Sequence, residues 1–247
     1  MKRRAGYAGQ RLANKRYRRS GGKVGVPRGS VAYMGPRRMA PYRTGGFYGA
    51  NARLKRAMQG LQEKKVVDTA AATYVCSTTG SVTAINLAAE GTDFTNRLGR
   101  KTTNVAVQLE GLLEPIDTIT AACKARIMLI YDAQPNGALP AITDILTAAT
   151  SQSFMNLNNR DRFKILCDIN RTIGGTDNTA TQSYAQSPSV YNISVYRKIN
   201  LDTIWSGTTA AIGSVGTGAL LLVTIGDQGG TAGANFNGAV RVRFVDA

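Results

Sequence analysis

A stretch of 65 residues that carries 18 lysines and arginines and a single acid, Glu63, cannot belong to a packed core. Burying that much like charge costs far more than its few apolar side chains return. The other 182 residues hold 13 basic residues against 14 acids, so the net charge of +16 belongs to one arm and not to the whole molecule. The arm therefore needs a polyanion. Nucleic acid is the natural partner, because neutralised phosphates release condensed counterions and drive binding without regard to sequence. A membrane surface is disfavoured, since no apolar face accompanies the charge.

The candidate nucleic-acid-binding residues are Lys2, Arg3, Arg4, Arg11, Lys15, Arg16, Arg18, Arg19, Lys23, Arg28, Arg37, Arg38, Arg43, Arg53, Lys55 and Arg56; Lys64 and Lys65 end the arm's basic run without being counted among them. Tyr7, Tyr17, Tyr33, Tyr42, Phe47 and Tyr48 lie between the charges, and eleven glycines keep the segment pliable. Arginine alternating with tyrosine suits single strands, whose unpaired bases stack on rings while guanidinium groups hold phosphates. Lys15, Arg16, Arg18 and Arg19 also fit a nuclear-import signal. The composition predicts a basic arm over 1–65 in which residues 1 to about 50 take no single ordered conformation. Leu54, Met58 and Leu61 share one helical stripe, which predicts a short helix leading out of it, weakened by Gly60.

Residues 66–247 are long enough for one full core, and their pattern is β. Strands are expected over Val66–Cys76, Lys101–Leu113, Cys123–Tyr131, Phe163–Ile173, Val190–Leu201, Ala219–Ile225 and Ala239–Val245. Short additions are expected near Ser81–Leu87 and Thr203–Trp205. Val240, Val242 and Phe244 alternate with Arg241 and Arg243, the period of a half-buried strand. Turn residues crowd Gly174–Ser189 and Gly226–Gly238, which read as loops on an outer surface or lining an axis. Pro140–Ala149 is the one helix expected in this part, with Ile142, Ile145 and Leu146 on one face. Together these predict an all-β fold, an eight-stranded antiparallel jelly-roll sandwich with a disordered basic arm and one short helix.

Catalytic patterns are missing. The chain has no histidine, which excludes Ser–His and Cys–His pairs and the commonest metal ligand. Asp161, Asp168 and Asp177 are the only metal cluster one can sketch, and each reads better as a solvated carboxylate; no metal and no cofactor is expected. The glycine-rich Gly213–Gly218 precedes a strand, so it reads as a hairpin connection and not a phosphate loop. Cys76, Cys123 and Cys167 sit in apolar strand contexts and read as buried reduced thiols. No segment is apolar enough to span a membrane, and the N-terminus is too polar for a signal peptide. An enzyme is not expected.

The segment Gly91-Thr92-Asp93-Phe94-Thr95-Asn96-Arg97-Leu98-Gly99-Arg100-Lys101, the segment Ile130–Pro140 with Asp144-Ile145-Leu146 after it, Asn158–Leu166 and Thr217–Leu221 stand in a recognisable order behind the arm. In that order they resemble the capsid proteins of small circular single-stranded DNA viruses, the circovirus-like and geminivirus-like group. The resemblance spans Gly91–Leu222 and the arm. It implies self-assembly of identical subunits into a sixty-subunit icosahedral shell, and an interior arm that packages a single-stranded DNA genome. It also implies residence in the virion, and in the host nucleus by way of an import receptor. Alternatives are the coat protein of a small single-stranded RNA virus or satellite, a cellular nucleic-acid-binding protein such as a ribosomal or chromatin component, and a sugar-binding jelly-roll lectin. The neutral folded part argues against the cellular protein, and the arm argues against the lectin.

Overall fold

The computed structural model describes residues 63–116, 122–174, 190–230 and 233–246. Nine strands are found there: β1 (Lys65–Cys76), β2 (Ser81–Ala84), β3 (Lys101–Pro115), β4 (Cys123–Asp132), β5 (Phe163–Ile173), β6 (Tyr191–Trp205), β7 (Val215–Thr217), β8 (Ala219–Gly226) and β9 (Ala234–Asp246). One sheet has the order β1-β9-β3-β6-β7 and the other β2-β8-β4-β5, every pair antiparallel. The pairs β4–β5, β3–β6, β2–β8 and β1–β9 are nested like one long hairpin whose tip lies between β4 and β5. Rolling that hairpin places its pairs alternately in two facing sheets, which is the jelly roll the sequence predicts. The ninth strand, β7, is a three-residue addition at one end of β6.

Two cores hold the roll. Between the sheets pack Val107, Leu109 and Leu113 of β3, Ala125, Ile127 and Leu129 of β4, Leu220 and Leu222 of β8, and Phe236, Val240 and Val242 of β9. The intervening residues of β4 and β8, namely Met128, Ile130, Leu221, Val223 and Ile225, belong to a second core. It is covered by the long β4–β5 connection through α1 (Ile142–Ile145) and Leu146. All eight residues of β8 are buried. A strand buried on both faces reads as a continuous apolar run, and this one does. Each large side chain so buried contributes about 1.5–3 kcal/mol.

Sequence expectation and structure part at several points. The helix is a single turn, because Leu146 is extended and bridges Met155 while Asn156 N–H donates to the Ile145 carbonyl. Its apolar triplet is still buried, since one turn suffices to present Ile142 and Ile145. Val190–Leu201 and Thr203–Trp205 are one strand, β6, with an irregularity opposite Asn104–Ala106 of β3. Part of the expected Gly226–Gly238 loop is strand, because β9 begins at Ala234. There Gly238 lies opposite Gly111 of β3, and the Phe236 ring covers both. A Cβ would fall 2.8 Å from that ring at Gly111 and closer still at Gly238, against its Cζ. Tyr74 stacks on the other side, its centroid 6.0 Å from that of Phe236. The Gly213–Gly218 run is no hairpin: it holds β7, which joins the five-stranded sheet, and then crosses to β8 in the other. Gly218 makes that crossing at φ +80°, a region that disfavours any Cβ, and 2.9 Å separates the place of a Cβ from the Tyr131 hydroxyl. The predicted helix at Leu54–Leu61 and most of the Gly174–Ser189 loop lie outside the described residues.

The crossing is held by a buried polar knot. Asn86 Nδ2 donates to Thr203 Oγ1 at 2.9 Å and to the Gly218 carbonyl at 3.1 Å, while its Oδ1 accepts from Leu220 N–H at 2.9 Å. Asn104 Nδ2 donates to Thr203 Oγ1 at 2.8 Å, and Thr203 in turn donates to the Gly218 carbonyl at 2.6 Å. The Thr203 hydroxyl thus uses its one proton and both lone pairs, so burial costs it little. Cys76 and Cys123 are buried and reduced as expected, whereas Cys167 is half-exposed and packs at the core's edge.

Two outcomes test this packing. Gly238→Ala should lower stability by about 1–3 kcal/mol through overpacking, and in a Phe236→Leu background most of that cost should vanish, as read by thermal unfolding. Burial pushes the Cys76 and Cys123 thiols from about 9 up to about 12 and about 11. The unfolded chain then ionises first. Stability is full below about pH 9 and falls towards pH 11–12 by up to about 1.4 kcal/mol per pH unit for each thiol. Denaturant titrations at about pH 7, 9 and 10.5 should show this fall, with a shallower slope in Cys76→Val.

Candidate nucleic-acid interface

Every arm residue assigned to nucleic acid, from Lys2 to Arg56, and the import cluster Lys15–Arg19 lie outside the described residues. The described structure shows where the chain from those residues joins the roll. Lys65, counted with the arm by charge alone, is instead the first residue of β1 and is 1% exposed. Its Nζ donates to the Asn96 carbonyl at 3.0 Å and lies 3.2 Å from Asp246 Oδ2; the same carboxylate accepts from Leu98 N–H at 3.1 Å. Lys65 therefore ties β1, the β2–β3 connection and the end of β9 together, and its charge is spent on protein.

Arg97 secures the same connection. It is fully buried, lies 4.6 Å over the Trp205 ring, and donates to the carbonyls of Ala88 (3.3 Å), Gly99 (2.6 Å) and Gly207. Glu90 lies 3.6 Å away. Burial lowers the Arg97 pKa from its ordinary value, partly countered by Glu90. Arg162 forks onto the buried Asp132, both bonds 2.9 Å, and ties the two ends of the long β4–β5 connection together; Arg126 of β4 forks onto Asp168 of β5 at 2.9 and 2.7 Å and donates to the Ser153 carbonyl inside that connection at 2.6 Å. Hydrogen bonding to Asp132 raises the Arg162 pKa. Sequence reasoning passed over these buried polar residues because their partners are distant in the chain or are backbone carbonyls.

The outward face of the five-stranded sheet runs from this root. In register across it lie Val66, Arg243, Ala106 and Lys198 in one row, and Asp68, Arg241, Gln108 and Tyr196 in the next. Arg241 forks onto Asp68 at 2.7 and 2.6 Å and holds that carboxyl below the usual range. Arg243 donates to Gln108 Oε1 at 3.2 Å and sits 5.6 Å from the Tyr196 ring centroid, with no acid partner among the described residues. Asp161 and Asp168 form no metal cluster, since each pairs with an arginine, and no group of metal-binding side chains occurs among the described residues. Asp177 lies outside them.

A doubly wound antiparallel roll that starts at the foot of a long basic arm is the architecture of a viral coat protein. Residues 49–247 match the family model described as satellite tobacco necrosis virus coat protein, and this chain belongs to that family. Among solved structures it is similar to the infectious bursal disease virus VP2 subviral particle, at 9% identity and a TM-score of 0.24. That match covers 74% of this chain and 33% of the other, so this chain spans about a third of its length. No curated protein matches.

The family match supports a coat protein but leads away from the single-stranded DNA viruses of the earlier resemblance. It favours the second reading, a small RNA virus or satellite, and carries neither the DNA genome nor the import receptor nor the host nucleus. The motifs behind that resemblance are the fastenings of the roll: Arg97 stands in the first, Asp132 in the second, and Arg162 in the third. They follow the fold and are silent on the cargo.

If Lys65 is structural, Lys65→Met should lower stability by about 2–3 kcal/mol, leaving the Asp246 carboxylate short of its cation. Nucleic-acid content should stay unchanged. Thermal unfolding and the 260/280 nm absorbance ratio of purified protein read the two separately.

Proposed function

We propose that copies of this coat protein assemble into a small icosahedral shell and that the basic arm packages single-stranded RNA inside it. The division of charge carries the reading: the arm bears 18 cations against one acid, beside a roll whose charges nearly cancel. A neutral roll lets identical subunits meet edge to edge without strong repulsion, while the arms gather phosphate. About sixty such arms would bring on the order of 1,000 positive charges into the interior, and each neutralised phosphate would release counterions. Lys and Arg spread along one segment hold backbone phosphates, and Tyr7, Tyr17, Tyr33, Tyr42, Phe47 and Tyr48 supply stacking surfaces for unpaired bases. The role is structural. RNA is preferred to DNA because the family is that of a satellite coat protein of the kind set out as the second reading.

Deleting residues 1–50 removes 13 cations and no acid, and leaves both cores intact. The truncated protein should fold and lose most of its nucleic acid, seen as a fall in the 260/280 nm ratio. A full load on truncated particles overturns the role of the arm. Nucleic acid extracted from particles grown in host cells should be degraded by ribonuclease and resist deoxyribonuclease; the opposite result restores the DNA reading.

A further inference from the structure

We propose that the groove between β5 and β6 is a second binding site for the phosphate backbone of single-stranded nucleic acid, built into the roll and separate from the arm. The inference rests on the packaging reading above and extends it to the folded domain, whose near-zero net charge conceals a segregated distribution.

Lys164, Arg197 and Lys198 line a groove of about 470 Å³, with Ile165, Leu166 and Ile199 forming its apolar wall and no acid in its lining. Seven other cations of the roll have an acid within 4.0 Å; these three, like Arg100, Lys124, Arg171 and Arg243, have none among the described residues, and they are the ones that converge on one groove. The groove also runs between two sheet edges. β5 is the last strand of its sheet, and β6 pairs with β7 only at Ile204 and Trp205, so among the described residues the stretch of β6 beside the groove has β3 on one side and no strand on the other. Unpaired strand edges present backbone N–H groups, which are donors for phosphate oxygens.

The position links the groove to the arm. Lys198 lies opposite Ala106, which lies opposite Arg243, which in turn lies opposite Val66, the residue after the root of the arm at Lys65. Three strand spacings, about 14 Å, separate that root from the groove. Tyr196 stands in the next row, 51% exposed and beside Arg243, and offers a ring on which a base can stack. A strand running from Lys65 across this face would meet Arg243 and Lys198 first and the groove next. Charged side chains on strand edges also discourage edge-to-edge pairing, and that function alone would leave nucleic acid out of the groove.

Ultraviolet cross-linking of the unmodified, full-length protein to its bound RNA, followed by peptide mapping, separates the two. Cross-linked peptides containing Lys164 or Arg197–Lys198 are expected, beside those from the arm; cross-links confined to residues 1–56 overturn the proposal. In parallel, the full-length K164Q/R197Q/K198Q variant should bind a single-stranded oligonucleotide with a log-affinity against log-salt slope shallower by about 2, the loss of three phosphate contacts. The charge-matched variant R100Q/K124Q/R171Q should leave the slope nearly unchanged. An equal change in both variants reduces the effect to net charge and overturns the site. An unchanged slope with failed assembly makes the groove a subunit contact and also overturns it. Should the triple variant fail to fold, the cross-link map of the unmodified protein decides alone. Absence of any nucleic acid from unmodified particles would refute the packaging reading itself, whereas arm-only cross-links refute the groove alone.

Discussion

The double burial of β8 is the constraint on which the rest of the molecule depends. Its inward residues meet the facing sheet and its outward residues meet the β4–β5 connection, so neither core can form without the other. A connection of that length would ordinarily be a tolerated surface insertion. Here it is a third layer, fixed at its ends by Arg162–Asp132 and at Ser153 by Arg126, which also forks onto Asp168. Loss of either fork would leave a shielded charge without its partner, which costs more than the pair itself contributes.

The polar knot around Thr203 and the buried Arg97 act at the same end of the roll, where the chain changes sheets. Long crossing connections are where a rolled hairpin is most exposed to mispairing, since backbone groups leave their ladders there. Placing saturated donors and acceptors at those crossings makes the native winding better satisfied than a slipped one. Cations whose charge is spent in this way are unavailable to a polyanion. The partition of basic residues into spent and unspent sets therefore bears on function more directly than their number does.

Most of the fold was legible because β9 and β6 alternate and β8 is uniformly apolar, and both patterns follow directly from which faces are buried. The start of β9 was not, since Ala234–Gly238 is rich in asparagine and glycine. Its pairing depends on Phe236 lying across Gly111, a residue far away in sequence. The helix was overestimated because a period of three and four is satisfied by one turn as readily as by three. Of the candidate site, the arm was visible through charge alone, and its residues lie outside those described. The groove was invisible: Lys164 and Arg197 belong to different strands, and only the topology makes their edges neighbours. Lys65 was counted with the arm for the converse reason, since charge along a chain does not reveal that a buried lysine has a half-buried carboxylate waiting for it.

Lys65 and Asp246 touch, and Lys65 is in register with Phe244, so the first and last strands of the roll are neighbours and the roll opens and closes at one spot. A peptide or protein fused after residue 246 would emerge beside Lys65, where β1 begins. Were that end of the roll turned towards packaged nucleic acid, such a fusion would be carried as cargo and displace nucleic acid in proportion to its size. Display on the exterior would need an insertion point elsewhere in the chain.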